Sequence, residues 1–258
     1  MDAPRLRYVT TMHRLLAASL LALGAHTASA ASVTLNGTVR DFTADGVNFE
    51  GPIVSASGMV NNTLVGSSPT LTATGQALVN AANFGLWYTK TTDTKALSLT
   101  LNETAPGSGL YSYSNSSFFP IDNELLGNQG NSHNYHFTYQ IAASFGYKPG
   151  AGQTFSFTGD DDVWVFFDKK LGIDLGGVHG QQSASVNLDT LLAGYAEGNY
   201  SFDFFFAERH RTESNLKIQT SLQLRPQQIN DVPEPSSYSL LALGLAGLGL
   251  TARQRRRA

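Results

Sequence analysis

Three carboxylates in a row, Asp160, Asp161 and Asp162, stand directly before an apolar run, Val163 to Phe167. The run has strand length and is built of β-branched and aromatic residues. It reads as a buried strand, with the acids in the loop that feeds it. Adjacent like charges at a turn repel one another, and a bound hard cation is the simplest way to remove that cost. Calcium takes oxygen ligands of this kind. A solvated acidic turn is the other reading, since glycine and aspartate are ordinary turn formers. Further along, Asp174 and His179 sit in the Gly-rich stretch Asp174 to Gly180. Either they line a ligand site together with Asp162, or they hydrogen-bond the loop's own backbone.

Other chemistry finds little support. His133 and His136 are three residues apart, which on a strand turns them to opposite faces and argues against joint zinc binding. Glycoside hydrolysis needs two carboxylates across a sugar-sized gap, a geometry that neighbouring aspartates do not provide alone. No nucleophile elbow, HExxH or phosphate loop is present. The chain therefore reads as a binding or structural protein and not as an enzyme, with a carbohydrate-active enzyme as the third choice. It contains no cysteine, which excludes disulfides and cysteine-ligated zinc.

The elements that must hold these residues are short strands separated by Gly, Asn, Ser and Pro clusters. Strands are expected near Val33 to Phe42, Phe84 to Tyr88, Leu97 to Leu101, Tyr135 to Ala142, Thr154 to Phe157, Val163 to Phe167, Ser183 to Asn187, Tyr200 to Ala207 and Leu216 to Leu224. Asp189 to Ala193 can form one helical turn. The pattern is all-β, a single antiparallel β-sandwich. Val163, Val165 and Phe167 alternate with Trp164 and Phe166, and both faces are apolar, so this strand is expected at the centre of a sheet. Trp164 and the face made by Phe202, Phe204 and Phe206 are read as core. Asp168 to Gly172 reads as a hairpin turn. The Ser/Asn/Gly-rich stretch Val54 to Gly75 reads as a long loop or insert.

The ends carry a different message. Arg5, Arg7 and Arg14, the apolar stretch Leu15 to Ala25 and the small residues Ala28-Ser29-Ala30 make residues 1–30 a secretory signal peptide. The folded domain then spans 31–225, with a polar linker at 226–231. From Val232-Pro233-Glu234-Pro235 the chain continues into an apolar segment, Leu240 to Ala252, and an end rich in arginine. That segment is short against the roughly 20 residues needed to span a bilayer. Seven of the 17 Lys and Arg and two of the 20 Asp and Glu lie in these two ends. The remainder carries ten basic and 18 acidic residues, a net charge of −8. Such a domain is a poor partner for nucleic acid and a good one for divalent cations.

Longer motifs give resemblances. The segment GDDDVWVFFDKKLGIDLGGVHG, Gly159 to Gly180, resembles the core signature of the fibro-slime domain of secreted microbial and slime-forming surface proteins. GTVRDF (Gly37 to Phe42), NFEG (Asn48 to Gly51), FFPIDN (Phe118 to Asn123), NYHFTYQI (Asn134 to Ile141) and FFFAERH (Phe204 to His210) fit the same pattern in order. The domain is also similar to the protective-antigen-type β-sandwich of flocculin-like adhesins. That resemblance implies calcium held by an Asp-Asp pair before a strand, here Asp160 and Asp161, joined by a cis or otherwise strained peptide. It also implies a further ligand from a loop after a late strand. The loop between Ala207 and Leu216 offers Glu208, Glu213 and Asn215, and Asn215, directly before the last strand, is the expected one. The VPEP end resembles the PEP-CTERM sorting signal of Gram-negative bacteria. It implies a C-terminal sorting helix, processing by exosortase and transient inner-membrane insertion. The combined expectation is a secreted cell-surface or extracellular-matrix protein with calcium as cofactor and an extracellular polysaccharide or other glycan as partner. A purely structural surface module stiffened by calcium is the alternative.

Overall fold

The computed structural model describes residues 30–44 and 49–226; residues 1–29 of the expected signal peptide, the Val232–Pro235 motif and the apolar segment expected as a sorting helix lie outside the described residues. Eleven strands form one antiparallel sheet: β1 (Ser32–Asp41), β2 (Thr94–Glu103), β3 (Tyr111–Asn115), β4 (Phe137–Tyr147), β5 (Thr154–Gly159), β6 (Asp162–Phe167), β7 (Lys170–Leu175), β8 (Gln182–Asn187), β9 (Gly198–Glu208), β10 (Leu216–Thr220) and β11 (Gln223–Pro226). Their order is β7-β6-β9-β4-β1-β2-β3-β10-β5-β8, with β11 paired to β4. The sheet curls until its end strands, β7 and β8, approach each other. Its two halves, β7-β6-β9-β4-β1 and β2-β3-β10-β5-β8, then face each other as a β-sandwich.

Strand alternation fills the space between them. Phe155 and Phe157 of β5 and Leu216 and Ile218 of β10 meet Val163, Val165 and Phe167 of β6 and Phe202, Phe204 and Phe206 of β9 in one core. At the β6–β7 hairpin, Phe167 pairs with Lys170. Asp168 and Lys169 between them both have positive φ (48° and 66°), the signature of a two-residue type I′ turn. The turn is therefore shorter than expected, and Lys170 to Leu175, including Asp174, is strand and not loop.

The outer face of β6 and β9 is covered by a second core. Trp164, Phe166, Phe205 and Ala207 pack against Phe42, Phe49, Met59, Val60, Leu64, Leu71, Val79, Phe84, Trp87 and Tyr88. Val54 to Gly75 is the expected long insert, irregular up to helix α1 (Ala73–Gln76), and it serves as a cap that buries four apolar side chains. One expectation is corrected here. Phe84 to Tyr88 is not a strand: after α1, helix α2 (Ala81–Trp87) starts at Asn80, whose side chain accepts from the backbone N–H groups of Ala82 and Asn83. β6 is thus apolar on both faces because the cap seals its outer side. A third helical turn, α3 (Leu188–Leu191), lies where one was expected. The expected last strand breaks after Thr220 and resumes as β11.

Candidate functional site

Three connections cross between the sandwich halves at one rim. β5 passes to β6 through Asp160 and Asp161, β7 to β8 through residues 176–181, and β9 to β10 through residues 209–215. The acid triplet ties them together. Asp160 accepts from the backbone N–H of Asn215 and, at 3.0 Å, from its side-chain amide. Asp161 Oδ1 accepts from His179 N–H (3.2 Å), and its Oδ2 from Arg209 N–H (2.8 Å) and His210 N–H (3.1 Å). Asp162 accepts from Gly177 N–H at 2.6 Å and forms an ion pair with Arg209 Nε at 2.5 Å. Hydrogen bonds to an ionised carboxylate contribute about 1.5–3 kcal/mol each, so the triplet is a principal clamp on this rim. Of the two alternatives expected for the link between Asp160 and Asp161, the cis peptide is absent and the bond is trans, while the strain lies at Asp161, where φ is 58°. A left-handed conformation costs a residue with Cβ roughly 1–2 kcal/mol, and the three backbone donors on its carboxylate hold it there.

Asp160 and Asp161 line a cavity of about 320 Å³ with Val178, His179, His210, Glu213 and the exposed Ile53. The sequence-derived candidates separate at this point. Asp160, Asp161 and His179 reach the cavity, and Asn215 meets Asp160 through both of its donors. Asp162 points inward to Arg209, whose guanidinium also stands 5.1 Å from the Trp87 ring centroid. Asp174 accepts from Trp164 Nε1 (3.0 Å) and Gly58 N–H (2.6 Å), which fastens the cap to β6 and β7; neither it nor Asp162 lines the cavity. His133 and His136 do not share a strand. His133 contacts Asp122 at 2.6 Å, and His136 contacts Glu50 at 2.8 Å. Glu50 also pairs with Arg211 Nε (2.9 Å), so the cap's first residues brace the 209–215 connection. A larger cavity, about 510 Å³, lies at the other end of β4 and β9 beside Tyr147 and Arg225, away from the acids.

Burial sets the electrostatics. It raises the carboxyls of Asp160 and Asp162 above their ordinary range, against the Asn215 hydrogen bonds in the first case and the Arg209 charge in the second. Asp161 is raised to about 6 by burial and by the neighbouring Asp162 charge. Among the described residues, no three His, Asp or Glu side chains form a metal cage as they stand. Even so, a hard cation fits the donor chemistry of the rim. A carboxylate oxygen has two lone pairs, so the bonds described leave Asp160 and Asp161 with acceptor capacity at the cavity. Arg209 pairs with Asp162, and its charge also favours the ionised form of Asp161.

Comparison with known proteins adds the following. A family model described as the PA14 domain matches residues 87–236, and one described as a PEP-CTERM protein-sorting motif matches residues 231–257. Among similar curated proteins, protein psiQ of Dictyostelium discoideum is 46% identical over 140 residues and protein psiG of the same organism 38% identical over 191. The alignments cover 49% and 64% of this chain but 14% and 26% of those proteins, so the chain spans a minor part of their length. Solved structures similar to this one include the PA14 domain of an antifreeze protein (13% identity, 72% of this chain and 80% of that one, TM-score 0.33). Another is a PA14 sugar-binding domain from an RTX adhesin (10% identity, 73% and 89%, TM-score 0.33).

Proposed function

Because the chain belongs to the PA14 domain family and ends in a PEP-CTERM sorting motif, we propose that it is an exported surface protein of a Gram-negative bacterium. In this reading it binds extracellular carbohydrate with the help of calcium at the Asp160–Asp161 corner. The observation that carries the reading is the pair of buried, adjacent carboxylates, Asp160 and Asp161, opening together on one cavity. Asp160 and Asp161 would hold the ion, with the Asn215 amide oxygen beside them. Once bound, calcium supplies open coordination positions that sugar hydroxyls can fill. His179, His210 and Glu213 around the cavity can hydrogen-bond further hydroxyls. The protein's own part is to keep the acid pair desolvated and fixed, through backbone donors from two neighbouring connections. The motifs resembling the fibro-slime domain, and the description of one PA14 relative as sugar-binding, agree with a role at a cell surface or in a matrix.

A second reading has its own observation. The triplet's carboxylates already clamp three connections, which favours a structural module in which calcium only stiffens the rim. Catalysis is not proposed, because adjacent aspartates do not span a glycosidic bond. Glycan-array binding with and without calcium separates the readings. The binding reading expects calcium-dependent retention that is lost in Asp160→Ala, Asp161→Ala. A native protein that retains no glycan at millimolar calcium leaves only the structural module. The sorting motif implies exosortase processing after transient insertion in the inner membrane. Mass spectrometry of protein from the native host should then show a product lacking residues 232–258.

A further inference from the structure

β1 begins at Ser32, and its pairing with β2 runs on to Ala31. Ser32 stands opposite Asn102, and Glu103 N–H donates to the Ala31 carbonyl at 2.7 Å. The nitrogen of Ala31 leaves the ladder and donates to the Glu103 side chain, Oε2, at 3.0 Å. Glu103 Oε1 accepts from Gly109 N–H at 2.7 Å. One carboxylate thus joins the start of β1 to the connection 104–110 between β2 and β3, which Thr104 N–H closes on the Leu110 carbonyl. Glu103 is 8% exposed. Its backbone donors, Gly109 first and then Ala31, hold the carboxyl below its ordinary range, so it stays ionised wherever an amine is protonated. Among the described residues it forms no ion pair with a Lys, Arg or His side chain. A carboxylate withdrawn from water is best matched by a donor that carries positive charge. The sequence supplies one. Ala28-Ser29-Ala30 is the expected cleavage site of the secretory signal, and it places the cut at the bond before Ala31.

We propose that Glu103 is the receptor for the α-ammonium of the mature chain, and that cleavage between Ala30 and Ala31 delivers that charge to it. The peptidase that removes the signal adds one water across the bond. The water oxygen goes to Ala30, which leaves as a carboxylate, and both hydrogens go to the Ala31 nitrogen, which becomes an ammonium. At the same place, a neutral N–H contact becomes a charge-assisted one, roughly twice as strong. A cut one residue later removes the nitrogen that Glu103 holds and begins the chain at Ser32, opposite the uncharged Asn102. The geometry therefore selects one bond from a run of small residues, Ala28 to Ser32. Because β1 lies inside the sheet, between β2 and β4, the processed end pins a central strand to the 104–110 connection. The proposal rests on export of the chain and not on calcium or carbohydrate binding.

The test expresses the full chain, signal included, in a Gram-negative host and recovers the exported protein. N-terminal sequencing should begin at Ala31, and a start at any other residue overturns the assignment. A signal still attached contradicts export itself, and the assignment falls with it. The second measurement is the titration of the α-amine, read by mass spectrometry after pulsed acylation between about pH 6 and pH 11. An ordinary α-amine titrates at about 7.7–8.0. A carboxylate partner favours the charged form, so the value here should lie roughly one unit higher. Acylation at about pH 8 should then be roughly fivefold slower than in Glu103→Gln, whose amine should titrate in the ordinary range. An ordinary value in the native protein, or the same raised value in Glu103→Gln, overturns the proposal. Should Glu103→Gln fail to fold, the native protein unfolded in urea supplies the reference amine. Equal titration in the folded and unfolded states overturns the proposal equally.

Discussion

Without a cation, this domain should lose stability as pH rises through the titration of its acid triplet, the reverse of common acid unfolding. Asp161 shows the magnitude. Its carboxyl is raised from 3.8 to about 6 in the fold. Below both values it is protonated in the folded and unfolded states alike. Between them the folded state keeps a proton that the unfolded chain has released, so folding becomes less favourable as pH rises. Above about 6 the full cost is present. A shift of this size corresponds to roughly 3 kcal/mol, and for a domain of 150–250 residues that is about 6–12 °C in Tm. Burial also raises Asp160 and Asp162, with the same sign. His136, lowered by burial, acts in the opposite direction below its ordinary value, so the comparison must be differential. Thermal unfolding of the native protein and Asp161→Asn, in chelator between pH 4 and pH 7, isolates the effect. The amide oxygen can still accept from Arg209 and His210, while the contact to His179 is lost as a constant offset. The native protein should fall relative to the variant by the stated amount, chiefly between pH 4 and pH 6, and saturating calcium should abolish the fall. Parallel curves in chelator would refute the electrostatic account of the rim.

Two substitutions probe the supports of the site. A Cβ at Gly159 would strike the Asn215 carbonyl and the Phe157 ring, so Gly159→Ala should displace Asn215 from Asp160 and destabilise by about 1–3 kcal/mol, measured by urea unfolding. Calcium affinity should weaken with it. Trp164→Phe keeps an aromatic ring in the cap-side core but removes the donor to half-buried Asp174. It should cost about 0.5–1.5 kcal/mol by the same assay, without changing calcium affinity, because Asp174 does not line the cavity.

The strands that carry the rim were legible because their patterns are simple. Leu216 and Ile218 alternate with Lys217 and Gln219, and Phe202, Phe204 and Phe206 share one face. The acid triplet stood out for its charge. Its partners did not, because Gly177, His179, Arg209, His210 and Asn215 are backbone donors brought together only when three connections cross at one rim. Glu208 was one acid among several in its loop, and its burial at the end of β9 depends on where that strand stops. Phe84 to Tyr88 misled because a five-residue apolar run fits strand and helix equally; Asn80 as helix cap was the available signal. The cap was hidden by composition, since Met59, Val60, Leu64 and Leu71 are scattered among Ser, Thr, Asn and Gly without a period.

The central claim is that the Asp160–Asp161 corner holds a cation that presents the cavity to a sugar. Its most direct test is a crystal structure of the protein grown with CaCl2 and soaked with an oligosaccharide taken from a positive glycan screen. The account predicts an anomalous peak at about 2.3–2.6 Å from carboxylate oxygens of both Asp160 and Asp161, with sugar hydroxyls completing its shell inside the cavity. A rim without an ion at saturating calcium, or a sugar bound away from this cavity, would contradict it.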